Sequence, residues 1–342
     1  MIHTDGKSIA NDSVSAAIAE HSVVASFPMT AMQMGLIYES TLVDRPWVNL
    51  EQIVCRLNDE PMQVEAMRAA WTSLAARHEA LRCVFRWQGL DQPMQFALEN
   101  PTIALKEVDL SPLDPKTQDQ ALADFLKMDR DLGVDLTAAP GWHLTWFRLG
   151  ARKSVLVWTV HHAIMDGGSW KMLLREVFDD YTARLAGADP VKVPLTGASF
   201  GTFCTELAKL PTAQAKAHFQ TALAGFDAAN HVDIDTPPTA QSNRKKLIDV
   251  RLPVEVGQAL AQKAETTDTT VATLVLAAWG LVVARASNRT DAVIGVVRSG
   301  RHSVKDTART AGCLINTLPT RITTASDLTI DGLLQTVRAD QI

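Results

Sequence analysis

The run Ser154–Val160, SVLVWTV, and the HHAIMDGGSW that follows it constrain the fold more than any other stretch of this chain. A run so rich in β-branched and apolar residues predicts a buried strand. It ends on two adjacent histidines, His161 and His162, and Asp166, Gly167 and Gly168 come shortly after. From Gly168 to Leu185 the apolar residues Trp170, Leu173, Leu174, Val177, Phe178 and Tyr181 recur at helical spacing, with acids and bases on the other side. A buried strand that passes through a short polar turn into an amphipathic helix predicts an α/β protein.

The rest of the chain keeps that alternation. Strands are expected at Val48–Leu57, Cys83–Trp87, Met94–Leu98, Ile103–Val108 and Trp142–Leu149, the last forming a hairpin with 154–160 across GARK. Helices are expected from Thr30, a fair N-cap, to Thr41, and over Met62–His78, Gln118–Arg130 and 168–185. The texture changes at 186–199, AGADPVKVPLTGAS, which marks a boundary. The expected organisation is a flexible leader over 1–25, a first lobe over 26–187 and a second over 188–342. Helices near 200–224, 254–266 and 270–287 fill the second lobe, with strands at Leu247–Leu252, Ala292–Val297 and Gly312–Arg321.

A formal net charge of −5 argues against a nucleic-acid binder, which would show a basic face. No apolar run reaches the 18 to 20 residues, roughly, that a membrane span needs, and the first residues lack the layout of a secretory signal. Cys55, Cys83, Cys204 and Cys313 are scattered, without CxxC or zinc spacing, so no metal site is expected. Four reduced thiols fit a cytoplasmic protein.

The histidine turn has a possible division of labour. Neutral imidazole is a usable base near neutral pH. Backbone alternation would send the two rings opposite ways, one toward a substrate and one inward. Asp166 could fix the turn by accepting hydrogen bonds or pairing with an arginine. The glycines permit close backbone approach and open a helix whose first amides could meet developing negative charge. Taken singly, an HH pair is more often packed or solvated than functional, and DGG is more often a turn.

The segment resembles the HHxxxDG signature of the condensation domains of nonribosomal peptide synthetases, within the chloramphenicol-acetyltransferase-like superfamily. Four further blocks are similar to that family's in the same order: Phe27–Gln33 (FPMTAMQ), Arg77–Phe85 (RHEALRCVF), Gly295–Arg301 (GVVRSGR) and Gly312–Pro319 (GCLINTLP). The resemblance implies two acetyltransferase-like lobes in a V-shaped pseudo-dimer around a tunnel. Its implied activity is peptide-bond formation between a donor acyl or peptidyl thioester and an acceptor aminoacyl thioester. Both would be carried on the phosphopantetheine of carrier proteins, beside an adenylation domain, with no cofactor bound by the chain itself.

On the same resemblance His162 faces the tunnel as base or positioner, His161 is structural, and Gly167 offers its amide near the reacting centre. Asp166 pairs with an arginine, for which Arg77 or Arg82 is expected, and Ser169 and Trp170 support the turn. Asn316 and Arg301 would line the tunnel. Arg77 and Arg82 could equally solvate a helix-to-strand junction, and Arg301 could cap a strand. Ser169–Trp170 also occurs in epimerization domains, which would carry EGHGRE-like and GWFT-like blocks; VVRSGR and GCLINTLP stand here instead. The blocks that usually close the family's second lobe are not found before Ile342, so that lobe is expected to be C-terminally truncated. A non-catalytic docking module of the same fold and an ester-forming relative are the alternatives.

Overall fold

In the computed structural model, residues 22–42, 47–188, 197–231, 248–324 and 328–341 are described. The chain divides by its contacts into two units, Met1–Leu210 with Ser299–Asn316, and Pro211–Arg298 with Thr317–Ile342.

The first unit contains, in chain order, β1 (Val23–Pro28), α1 (Ala31–Thr41), β2 (Leu50–Asn58), α2 (Val64–Arg77), β3 (Cys83–Arg86), β4 (Met94–Leu98), β5 (Leu105–Asp109), α3 (Pro115–Leu132), β6 (Trp142–Gly150), β7 (Lys153–His161), α4 (Gly167–Leu185) and α5 (Phe200–Ala208). Two sheets form, one in the order β1-β4-β3 and the other β2-β7-β6-β5. In the larger sheet β7 runs antiparallel to both neighbours, with Leu50 opposite His161 and Trp142 opposite Val160. β5 joins the edge of β6 in parallel.

The unbroken apolar run of β7 is explained by cover on both faces. Leu156, Trp158 and Val160 pack with Trp71, Leu74, Leu173 and Val177 of α2 and α4 in the main core. Val155 and Val157 face the other way, into a smaller cluster with Phe147 and Leu122 of α3. A strand covered on both sides has no use for alternation. The Trp71 and Trp158 rings lie 4.8 Å apart, edge to face, at the centre of the main core.

The second unit holds α6 (Thr212–Ala222), α7 (Val254–Thr266), α8 (Val271–Ala286), most of β8 (Asp291–Ser299) and β9 (Ile315–Thr323), which pair as a two-stranded sheet, and α9 (Ile330–Ala339). Ala277, Ile322, Leu333, Leu334 and Val337 form its core. Asp291, with Arg289 and Arg321 on its carboxylate, ties the start of β8 to β9.

Three expectations change. Residues 23–25 lie in β1, where Val23 and Ala25 pair with β4, so the described end of the expected leader is sheet; residues 1–21 lie outside the described residues. The contact division does not fall at a single cut near 188, because α5 and residues 299–316 group with the first unit. Phe200 packs edge-on against Phe27, and the Gly201 amide donates to Glu79. The strand expected at Leu247–Leu252 is not formed over 248–252, where the chain is irregular and Ile248, Val250 and Leu252 are exposed; Leu247 is outside the described residues. Its alternating pattern finds no neighbouring strand among the described residues.

Candidate functional site

The site is built where β7 runs out. The Asn49 carbonyl accepts the backbone N–H of His162 at 2.7 Å, and a turn through Ile164 leads to Asp166 at the head of α4. Ala163, Ile164 and Met165, the apolar middle of the motif, are buried in the main core. The turn is therefore anchored by packing, and its polar residues are placed by it.

His161 is buried. Its Nδ1 accepts the Ala163 N–H at 3.1 Å, which assigns the proton to Nε2, and Nε2 donates to the Ser40 hydroxyl at 2.7 Å. Ser40 passes its own hydrogen on to the Leu36 carbonyl on α1. Burial, with the neighbouring His162 adding to it, lowers the His161 pKa to about 4. The ring is a neutral strut at ordinary pH.

Gln33 sits fully buried at the third position of α1 and forms a capping box with Thr30. Its Nε2 donates to the Ala163 carbonyl at 2.8 Å, and its amide pairs reciprocally with that of Gln95 on β4. The smaller sheet thus reaches the histidine turn, which continues from β7 of the larger one, through one pair of amides. In the sequence Gln33 stands out only through the FPMTAMQ resemblance; a lone glutamine in an apolar helix carries no spacing signal.

Asp166 is buried and satisfies the other end of the turn. Its Oδ1 caps α4 by accepting the Gly168 and Ser169 amides at 3.1 and 2.9 Å, and it accepts the Ser169 hydroxyl at 2.8 Å. The Arg301 guanidinium closes on both carboxylate oxygens, Nη1 to Oδ2 at 2.7 Å and Nη2 to Oδ1 at 3.0 Å. Oδ2 also accepts the Leu314 amide at 3.1 Å. The Asp166 amide donates in turn to the Gly312 carbonyl, and the Ser169 hydroxyl oxygen accepts the Gly312 amide at 3.1 Å. Burial would raise the Asp166 pKa; the hydrogen bonds and charge of Arg301, with Ser169, outweigh it and hold the carboxyl below its ordinary value.

The arginine that pairs with Asp166 is therefore Arg301, from the SGR block. Arg77 instead meets Glu176 at 3.3 Å, a carboxylate it shares with His78, and Arg82 donates to the Leu98 carbonyl. Arg77 and Arg82 end a helix and a turn whose next residues enter β3, so they brace that junction. Sequence distance hides the true pair, since 135 positions separate Arg301 from Asp166. Arg301, expected to line the tunnel, has both terminal nitrogens committed to Asp166, Ser169 and Thr310.

What these contacts leave uncommitted is His162. Its side chain is partly exposed, and its Nδ1 is a covered nitrogen with no hydrogen-bond partner among the described residues. Gly167 and Gly168 beside it are exposed. A Cβ at Gly167 would meet nothing within 4 Å, whereas one at Gly168 would press on the Arg301 guanidinium. Trp170 is half-buried against the main core. Asn316 is exposed at the start of β9.

A chain with this turn, this latch and these ordered blocks matches the condensation-domain family over residues 24–342. It belongs to that family. It is 29% identical over 325 residues to one of the linear gramicidin synthase proteins of Brevibacillus parabrevis, covering 94% of this chain and 6% of that one. It is 28% identical over 301 residues to the chondramide synthase cmdD of Chondromyces crocatus, covering 86% of this chain and 7% of that protein. This condensation domain thus spans a small fraction of the length of the synthetases it matches. Among solved structures, the X-domain in complex with OxyB from teicoplanin biosynthesis shares its fold with a TM-score of 0.78 at 23% identity, covering 94% of this chain and 70% of that one. The first condensation domain of the calcium-dependent antibiotic synthetase, solved with a substrate analogue, gives 0.68 at 21%, covering 93% and 74%. The mixed α/β fold is that of condensation domains. No single helix among the described residues is long and apolar enough to cross a membrane; α7 and α8 reach that composition only as a pair bent by 101°.

Proposed function

We propose that this domain joins a donor acyl or peptidyl thioester to the amine of an acceptor aminoacyl thioester, both delivered on phosphopantetheine by carrier proteins. The observation that supports it most is the state of the histidine turn. His161 and Asp166 are committed to holding it, whereas the partly exposed His162 ring makes no hydrogen bond among the described residues. The acceptor nitrogen attacks the donor carbonyl carbon, the C–N bond forms and the C–S bond breaks. The amine gives up a proton and the departing donor thiolate gains one. His162 is the group offered to that exchange, as hydrogen-bond acceptor of the amine or as base. The amide of Gly167, which takes no part in the Asp166 cap, is its partner for the developing oxyanion. The family's pair of acetyltransferase-like lobes, the two carrier proteins and a neighbouring adenylation domain in the cytoplasm all belong to this proposal.

A second reading keeps the fold and drops the chemistry. The likeness to an X-domain that was solved in complex with another protein supports a docking module. Intact His162 and a fully satisfied Asp166 latch favour catalysis, because a docking surface has no need of them. The two readings separate when a donor-loaded and an aminoacyl-loaded carrier are mixed with the domain and the acceptor carrier is weighed by mass spectrometry. Catalysis predicts a gain equal to the donor acyl group; tight carrier binding without any gain selects the docking module. A gain with a hydroxyacyl acceptor and none with an aminoacyl one would assign ester formation.

A further inference from the structure

The ring proposed above to meet the substrate has no polar contact of its own: the His162 side chain makes no hydrogen bond among the described residues. His162 also stands one position beyond the β2–β7 ladder, whose last pair is Leu50 with His161. Its polar restraint is therefore all in the backbone. Among the described residues that backbone makes one hydrogen bond, from the His162 N–H to the Asn49 carbonyl at 2.7 Å.

Asn49 is itself held in two ways. Its backbone is left-handed, at φ 61°, a conformation that is costly for most L-residues and that asparagine tolerates. Its side-chain Nδ2 has two hydrogens and two acceptors, both on α1: the Leu36 carbonyl at 3.1 Å and Glu39 Oε2 at 3.2 Å. The same Leu36 carbonyl accepts from Ser40, the residue whose hydroxyl takes the His161 Nε2 hydrogen. Both histidines thus hang from one end of α1, His161 through its ring and His162 through Asn49. The start of β2 has no need of this arrangement, because the ladder already secures the strand over its full length, Leu50–Asn58. What the Asn49 contacts add falls on the histidine turn.

We propose that Asn49 is a positioning residue for His162. Its left-handed bend and its tether to α1 fix the carbonyl that fixes the His162 amide, and through that amide the imidazole. Asp166 and Arg301 hold the far end of the turn, and Asn49 holds the near end. This role in turnover rests on the reading of His162 given above, whereas the placement of the ring is visible without any reaction.

The test compares Asn49→Ala and Asn49→Gly with wild type by two readouts. In steady-state kinetics within the native polypeptide, with both carriers loaded, Asn49→Ala lowers kcat about ten- to a hundredfold, the effect of a reacting group displaced by a fraction of a bond length to about 1 Å. KM for each loaded carrier stays within about twofold, because Asn49 acts on His162 and not on carrier binding. Asn49→Gly adopts the left-handed bend freely but lacks the tether, so it is expected to lose less. In NMR spectra of the chain isotope-labelled at histidine, the His162 ring signals shift in Asn49→Ala while those of His161, held by Ser40, stay in place. Should Asn49→Ala fail to fold, Asn49→Gly supplies both readouts, with a smaller fall in kcat and a shifted His162 signal. An unchanged kcat in a folded variant of active wild type, a loss carried by KM, or a His162 signal identical to wild type overturns the proposal. A wild type that forms no product refutes the proposed reaction instead, and the His162 signal alone then decides whether Asn49 places the ring.

Discussion

Removing the Asp166 carboxylate is the perturbation whose cost can be worked most fully from the structure. Asp166→Ala takes away the acceptor of the Gly168, Ser169 and Leu314 amides, the Ser169 hydroxyl and both Arg301 terminal nitrogens. The Arg301 side chain is 17% exposed, so its charge is left largely desolvated and unpaired. Breaking a buried pair from one side costs about 3–5 kcal/mol, and losing an N-cap about 1 kcal/mol. The same oxygens serve both purposes, so the terms overlap and do not simply add. The expected loss is therefore about 3–5 kcal/mol, or a fall in Tm of roughly 6–20 °C for a unit of this size. Asp166→Asn keeps the capping oxygen but turns an NH₂ toward Arg301, and belongs at the low end of that range. Calorimetry or urea unfolding reads the loss, and a cycle with Arg301→Ala isolates the pair. Because the folded pKa of Asp166 lies below its unfolded value near 3.9, its contribution is complete above that value and disappears as the pH falls through the folded one. The gap between wild type and variant should hold steady from about pH 8 to 5 and narrow below about pH 4. Equal melting temperatures at pH 7, or losses from Asp166→Ala and Arg301→Ala that add in full, would refute the latch.

Three further outcomes follow from the same contacts. His161, with its pKa lowered to about 4, contributes stability that is complete above its unfolded value near 6.5 and is lost as the pH falls toward 4, a loss on the order of 3 kcal/mol. An NMR titration midpoint at about pH 6 or above for that ring would contradict its role as a neutral strut. Gln33→Leu strands the Ala163 carbonyl, the Thr30 amide and the Gln95 side chain, and should cost about 2–4 kcal/mol in urea unfolding; a change under about 0.5 kcal/mol would show that the turn does not lean on it. Gly312→Ala drives a Cβ into the Phe200 ring and should destabilise by about 1–3 kcal/mol or more through overpacking. A wild-type Tm there would mean that the segment shifts freely and is not the rigid seat of Asp166.

The elements that position the site were legible because their signals are local. The apolar run of β7, the helical stripe of α4 and the Thr30 cap of α1 each declare themselves within a few residues. Alternation at a strand end also predicted that only one of the two histidines packs inward, and His161 is buried while His162 is partly exposed. The partner of each buried polar group was not, because it is a property of the folded chain. Asp166 had nearer arginines in another of the family-like blocks, and only folding brings Arg301 to it while sending Arg77 to Glu176. Gln33 reaches Ala163 across 130 positions, a contact fixed by how α1 crosses the end of β7. The strand expected over 248–252 failed for the complementary reason: alternation predicts a strand only where another strand is there to pair with it.

The central claim is that His162 works on the substrate while its neighbours hold the turn. It is tested most directly by the mass of an aminoacyl-loaded acceptor carrier after incubation with a donor-loaded carrier and either wild type or His162→Ala, the domain being assayed within its native polypeptide. The account predicts a gain equal to the donor acyl group for wild type, and none over the same period for a His162→Ala protein whose Tm matches wild type within about 2 °C, a shift well under 1 kcal/mol. An equal gain from the variant, or no gain from either, would contradict it.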